Sequence, residues 1–271
     1  MPVEHDQWID LERTATRYRI AGAGEVDVVL IHEMGGTLET WHQAAGLLGE
    51  SHTSLYYDLR GFGQAEKIHG DITTDELADD LHALLIKTGV KGPVHLAGCA
   101  VGAGVAATFC AKYPIMARSL TMLSPALGVP AAVKEERLLQ TKGIVAGGMR
   151  AIVEASLSLS YPEVLRSAGG SFDTFRARWI GNDPESFAAL YRMLIRQDLT
   201  DTTAAISCPV LCLAGEHDAL RPPAYVEDIA RSIPSAIYTV IKSGHHMPYQ
   251  TPELVAGELS KFMNTIGKRK V

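Results

Sequence analysis

The segment Leu96-Ala97-Gly98-Cys99-Ala100-Val101-Gly102-Ala103-Gly104 has the spacing in this chain that speaks most directly of chemistry. It follows an apolar run and precedes Val105-Ala106-Ala107-Thr108-Phe109, which reads as a helix. A strand that turns sharply into a helix forces its apex residue into a strained conformation. The residues two before and two after the apex must then be tiny, so that the chain can fold back. Gly98 and Gly102 meet that condition around Ala100, which makes Ala100 the apex. Cys99 is the nucleophile by element type, but its own neighbours at that spacing are Ala97 and the bulky Val101. It reads as small filler behind the turn. A glycine-rich turn can also cradle a phosphate, yet neither the dinucleotide spacing nor a G-K-[ST] ending is present.

Such a turn needs a sheet beneath it. The run Val28–Val29–Leu30–Ile31 suits a strand buried on both faces of a parallel sheet. The pattern recurs at Leu55–Tyr57, Val94–Ala97, Leu120–Leu123, Val210–Leu213 and Ile237–Ile241, and these too are expected to be buried strands. Residues 7–20 alternate apolar and polar types and suggest two antiparallel strands at a sheet edge. Helical stretches lie between the runs. The clearest starts at Thr73, with Glu76 completing a capping box and Leu77, Leu81, Leu84 and Leu85 on one face. Pro222 and Pro223 open another helix, and Pro252 with Glu253 a third. This alternation predicts an α/β fold, a mostly parallel sheet with helices on both faces. Residues 128–203 break it: they carry helical signals but no buried-strand run, and predict an inserted helical cap. The expected core is then 1–127 with 204–271. Most of the cap's apolar residues (Met149, Leu157, Tyr161, Phe172, Phe175, Trp179, Phe187 and Tyr191) must pack helix on helix, with a few facing a pocket beneath.

Composition narrows the function classes. The 271 residues are 46% hydrophobic and 21% charged, ordinary values for a globular chain of one domain with an insertion. Net charge is −6, and the only Lys/Arg cluster is Lys268–Arg269–Lys270, which argues against a nucleic-acid partner. No apolar run approaches membrane-spanning length, and the acidic start (Glu4, Asp6, Asp10, Glu12) does not look like a leader. Cys99, Cys110, Cys208 and Cys212 include no C-x-x-C pair and read as reduced, buried thiols, with Cys208 and Cys212 in one strand. The expectation is a soluble, cytoplasmic protein with no metal and no organic cofactor, since no ligand spacing or complete nucleotide motif occurs.

Taken together, these segments resemble the α/β-hydrolase superfamily, and its enol-lactonase-like branch in particular. Leu30-Ile31-His32-Glu33-Met34-Gly35-Gly36 is similar to the oxyanion loop after the third strand, with Trp41 where such chains often have a Trp. Asp58-Leu59-Arg60-Gly61-Phe62-Gly63 resembles the family's Asp-x-Arg-Gly-x-Gly turn. Gly215-Glu216-His217-Asp218 looks like the turn bearing the acid, and Ser243-Gly244-His245 like the one bearing the base. The order Ala100, Asp218, His245 matches nucleophile, acid and base. Two departures stand out. The nucleophile position holds Ala100, which has no lone pair, and the family's His-Gly dipeptide is here His32–Glu33. A natural branch without the serine and a serine enzyme altered to alanine would look alike.

The resemblance implies His245 as base, oriented by Asp218, with the backbone N–H groups of Met34 and Val101 as oxyanion hole. Adjacent side chains of an extended chain point opposite ways, so only one of His245 and His246 faces Asp218. Glu33 either faces solvent or pairs with an arginine such as Arg60, or it is a partly desolvated acid/base beside the reacting carbonyl. His32 is expected to bond loop backbone, His217 to be structural, and Ser124, the one hydroxyl to suspect near the apex, to have a core or turn role. Arg150, Arg176, Arg178, Arg192 and Arg196 are either handles for a substrate carboxylate or solvated. Three readings follow. One is a small-molecule hydrolase acting on an ester, enol-lactone or other activated carbonyl by direct water attack. Another is a cofactor-free lyase, decarboxylase or dioxygenase using the His–Asp base. The last is a non-catalytic binding protein. Oligomeric state is not legible.

Overall fold

Each buried apolar run becomes a strand. The computed structural model describes residues 5–166 and 170–266, so Glu4 and the basic cluster Lys268–Lys270 lie outside the described residues. Eight strands form one sheet: β1 (Gln7–Asp10), β2 (Ala15–Ala21), β3 (Val28–Ile31), β4 (Ser54–Tyr57), β5 (Val94–Cys99), β6 (Ala117–Leu123), β7 (Val210–Gly215) and β8 (Ile237–Ile241). Their order is β1-β2-β4-β3-β5-β6-β7-β8. The β1/β2 and β2/β4 pairs are antiparallel and every later pair is parallel. The fold is therefore α/β, with the antiparallel pair at one edge. Helices Thr74–Lys87 and Val101–Lys112 pack together on one face, and His42–Leu48 packs with Pro252–Ile266 on the other. The Thr73–Glu76 capping box is present, and Leu77, Leu81, Leu84 and Leu85 are buried. No helix among the described residues is long and apolar enough to cross a membrane.

The strand order matters for function. From β3 the chain moves outward to β4 and returns to β5 on the other side of β3. The loops after β3 and β5 therefore part in opposite directions, and ligands of open α/β sheets bind at such a switch point.

Two expectations are corrected. Strand β8 is an edge strand, not one buried on both faces: Ile237 is 49% and Val240 43% exposed. An apolar run asks for cover on both faces, but nothing in it says whether a further strand will pair. Cys208 is only partly buried and precedes β7, while Cys99, Cys110 and Cys212 are buried and all four are free. Pro209 has no N–H for the ladder, so β7 starts at Val210.

Between β6 and β7 the described chain is helical, with helices Lys134–Gly147, Val153–Ser160, Ser171–Ile180, Pro184–Arg196 and Thr200–Ala204. Its neck is pinched by a bridge between Gly128 and Asp198 and by the Leu199 N–H donating to Leu127 O at 3.1 Å. Past the neck, Thr200–Ala204 packs on the sheet helix Val101–Lys112. Within the insertion Tyr161, Phe172 and Phe175 form edge-on aromatic contacts, as do Trp179 and Phe187.

One buried group sets an acid limit on stability. His95 on β5 places Nδ1 2.7 Å from Ser119 Oγ. Burial, with the nearby Arg118 charge adding to it, pushes its pKa from 6.5 down to about 4. Between those values the unfolded chain binds a proton that the folded chain refuses, so stability is full above pH 6.5 and falls as pH drops toward 4. The loss should reach about 3 kcal/mol. Urea unfolding at pH 7 and pH 4.5 should show it, and His95→Gln should flatten that slope. An unchanged slope would assign the acid sensitivity elsewhere.

Candidate active site

Ala100 joins β5 to the helix Val101–Lys112 with φ 50° and ψ −111°, a conformation that costs a non-glycine residue about 1–3 kcal/mol. The surroundings enforce it. The Ala100 N–H donates to Leu123 O at 2.9 Å, and Ala100 O accepts from the Ala126 N–H at 3.1 Å. The flanking glycines permit it. A Cβ on Gly98 would lie 2.2 Å from Gly102 O, and one on Gly102 would lie 2.5 Å from the carbonyl oxygens of both Ile31 and His32. Because Ile31 pairs with Gly98 across β3 and β5, the turn is pressed against the loop that follows β3. The apex is buried, 4% exposed, and carries only a methyl.

Asp218 and His245 meet at the ends of β7 and β8. Asp218 Oδ2 lies 2.8 Å from His245 Nδ1, while Oδ1 accepts the N–H groups of Leu220 and Arg221 at 2.9 Å each. Burial pushes the Asp218 carboxyl up, but the charge and hydrogen bond of His245 outweigh it and leave the group below its ordinary value. With both carboxylate oxygens occupied, Nδ1 of His245 is the protonated nitrogen and Nε2 carries the lone pair. The two turns are laced together. His217 N–H donates to Ser243 O at 2.9 Å, and a Cβ on Gly215 would strike Gly244 O at 2.5 Å. The insertion reaches the same place, since Ser160 O accepts the His245 N–H at 3.1 Å.

The loop after β3 is held from several sides. His32 Nε2 accepts the Leu59 N–H at 2.9 Å, so its Nδ1 donates to Glu33 O at 2.7 Å. That use of both nitrogens bonds loop backbone and leaves His32 none for chemistry. Asp58 accepts the Leu38 and Gln64 N–H groups at 2.8 Å each, and pairs with buried Arg17. Two residues of the insertion clamp the tip: Asn182 Nδ2 donates to Gly35 O at 2.9 Å, and Trp179 fills the space where a Cβ of Gly35 would stand. Neither was visible as a site residue in the sequence, because their spacing within the insertion says nothing about which loop they meet. Among the described residues, no protein acceptor takes the N–H of Met34 or Val101. Val101 is the first residue of its helix, where such groups are orphaned.

Glu33 neither faces solvent nor meets Arg60. It is 1% exposed, and Arg60 pairs with Asp80. Its Oε1 accepts the Thr40 hydroxyl at 3.2 Å and lies 3.4 Å from His246 Nδ1. Thus His245 faces Asp218 and His246 faces Glu33. The Cys99 thiol donates to His245 O at 3.4 Å, and burial pushes its pKa well up, with the charges of Glu33 and Asp218 adding to the effect. It is a poor nucleophile where it sits. Ser124 is fully buried at φ 42°, beside Asp218. His217 contributes backbone to the acid turn. Of the five arginines, Arg176 pairs with Glu154, Arg192 and Arg196 pair with Asp71, Arg178 stacks over Tyr249, and Arg150 is exposed. No three His, Cys, Asp or Glu side chains converge as a metal-binding group among the described residues.

Comparison with known proteins bears on the family and the fold. Residues 25–252 match the family described as serine aminopeptidase, S33. A protein of Azorhizobium caulinodans, provisionally named carbamate hydrolase RutD, is 26% identical over 249 residues, 91% of each chain. A thermophilic esterase from Thermogutta terrifontis, solved with malate bound, superposes with a TM-score of 0.86 at 28% identity, over 94% of this chain and 95% of that one. The enol-lactonase of Burkholderia xenovorans superposes with a TM-score of 0.87 at 20% identity, over 95% of this chain and 100% of that one, a likeness of fold.

Proposed function

The chain belongs to the α/β-hydrolase superfamily, within the family described as serine aminopeptidase, S33, and from that premise we propose a hydrolase that forms no acyl-enzyme. Its substrate is a small ester, enol-lactone, carbamate or similarly activated carbonyl, covered by the helical insertion 128–203 acting as a cap. The observation that carries this reading is the methyl group of Ala100 on a backbone strained as for a nucleophile, beside an intact carboxylate–imidazole pair. Covalent catalysis needs a nucleophile within reach of its base, and a methyl supplies none.

In this mechanism His245 Nε2 takes a proton from water as the water oxygen bonds to the carbonyl carbon. Asp218 stabilises the imidazolium, and the N–H groups of Met34 and Val101 hold the oxyanion. On collapse the bond to the departing oxygen or nitrogen breaks, and His245 returns its proton to that atom. Without a covalent step about 10³–10⁴-fold acceleration over water typically survives in such sites, which suits an activated carbonyl better than a plain amide. The carbamate and ester readings are supported by the relatives' names, and the enol-lactone reading by the sequence resemblance and the likeness of fold.

A panel of enol esters, lactones, aryl esters and carbamates tests the proposal by mass balance. The expected product mass is substrate plus one water, with leaving-group release linear from the first turnover. A stoichiometric burst with a covalent adduct on the protein would overturn direct water attack. Loss of carbon dioxide or uptake of oxygen would instead favour the lyase or oxygenase reading of the same base.

A further inference from the structure

Two carboxylate–imidazole pairs stand side by side in this molecule, and the mechanism above uses one. The other is Glu33 with His246. Both side chains are buried, at 1% and 4% exposure. Each is the chain neighbour of a proposed functional group: Glu33 precedes Met34, whose N–H faces the oxyanion, and His246 follows His245. The Glu33 carboxylate is tightly walled. A Cβ on Gly36 would lie 2.6 Å from it, so only glycine there leaves it room. The Thr40 hydroxyl donates to Oε1, Oε2 has no hydrogen-bond partner, and among the described residues no lysine or arginine pairs with the carboxylate. The His246 ring is fixed on its other sides by Phe175, at 4.6 Å between centroids, and by His245, at 5.2 Å and nearly perpendicular.

A carboxylate taken out of water costs several kcal/mol unless something compensates it. The partner within reach on the neighbouring turn is the His246 ring, 3.4 Å away. Burial lowers the His246 pKa, so the ring is neutral, and its Nδ1, which has no other partner, faces the carboxylate across the gap between two loops that share no strand pairing, one leaving β3 and the other leaving β8. The carboxylate lies against Gly36 and within 3.4 Å of His246 Nδ1.

We propose that Glu33 and His246 are a positioning pair, which locks the turn carrying His245 at a fixed distance from the Met34 N–H, and that Glu33 does not itself meet the departing group. Catalytic geometry tolerates little slack, and a misplacement of about 1 Å costs on the order of 10²-fold in rate. The catalytic part of this inference rests on the hydrolase reading above, whereas the pairing itself does not.

The test therefore has two arms. In protein labelled with ¹⁵N-histidine, Glu33→Gln should shift the ring-nitrogen resonances of both His246 and His245 while the melting temperature stays well above the measurement. Should Glu33→Gln not fold, His246→Asn is read by the same His245 resonances. Ring resonances of His245 that stay where they are in the folded variant overturn the proposal, whatever the substrate. In the kinetic arm, on a substrate from the panel, each single variant should lose about 10- to 100-fold in kcat with KM nearly unchanged. The double variant should lose no more than the worse single one, since a pair acting as a unit is not additive. Losses that multiply, or that fall on KM alone, would overturn it as well. An absence of turnover in the unaltered protein counts against the hydrolase reading and leaves the resonance arm to decide the pair.

Discussion

A fluorophosphonate probe should leave the intact mass of this protein unchanged, and Ala100→Ser should make it take up one equivalent. The reasoning runs from the backbone. The apex conformation at position 100 is imposed by the Leu123 and Ala126 hydrogen bonds and by the closeness of Gly98 and Gly102, none of which involves the side chain. A serine there inherits the strain already present, so the substitution should cost stability by less than about 1 kcal/mol. It places a hydroxyl at the junction of the helix N-terminus, the loop after β3 and the His245 turn, the constellation in which a serine is activated by an imidazole. Labelling should go from undetectable to stoichiometric. Turnover of the protein's own substrate should then change much less than reactivity toward the probe, because direct water attack never used the side chain. If turnover of one substrate instead rises by several orders of magnitude, the chain is a serine hydrolase whose serine has been replaced. If the unaltered protein is labelled, Cys99 or Ser124 carries the nucleophile and the apex reading fails.

The legible part of this site is the part written in backbone sterics. Glycines two before and two after Ala100 are needed for close approach, and the built structure shows approaches that any side chain would forbid. The strands under the site were visible for a related reason, since a continuous apolar run must be covered on both faces. That rule gave out at β8, where exposed Ile237 and Val240 belong to the same kind of run, because edge position depends on pairing and not on composition. It gave out again at Cys208, where Pro209 sets the strand boundary. Side chains in loops follow no period. Alternation tells that His245 and His246 diverge, but not that His246 meets Glu33, and it does not tell that Arg60, an expected partner of Glu33, is taken by Asp80. Asn182 and Trp179 on Gly35 lie further still from sequence reasoning, because the insertion docks on the loop through tertiary packing alone.

Asp218→Asn should lower kcat by about 10²- to 10⁴-fold with KM little changed, the range expected for loss of a positioned general base. The direction follows from how the carboxylate is held. Its Oδ1 is claimed by the N–H groups of Leu220 and Arg221, so an asparagine must keep its carbonyl oxygen there and turn its amide nitrogen toward His245. An N–H aimed at Nδ1 can only be accepted, which drives the imidazole proton to Nε2, the nitrogen that has to receive one. The fold should survive. The carboxyl of Asp218 is held below its ordinary value, so the stability its ionisation lends at neutral pH is lost in the variant, a cost set against the hydrogen bonds that remain. An asparagine of the same shape still serves both backbone donors, and a melting curve at pH 7 separates any residual instability from the catalytic loss. His245→Ala should match the loss in kcat but differ in one respect: added imidazole should restore part of the activity, because the missing base can diffuse in, whereas a wrong tautomer cannot be corrected from solution. Activity within threefold of the unaltered protein in Asp218→Asn would remove the pair from the mechanism and leave the oxyanion donors and binding to account for catalysis.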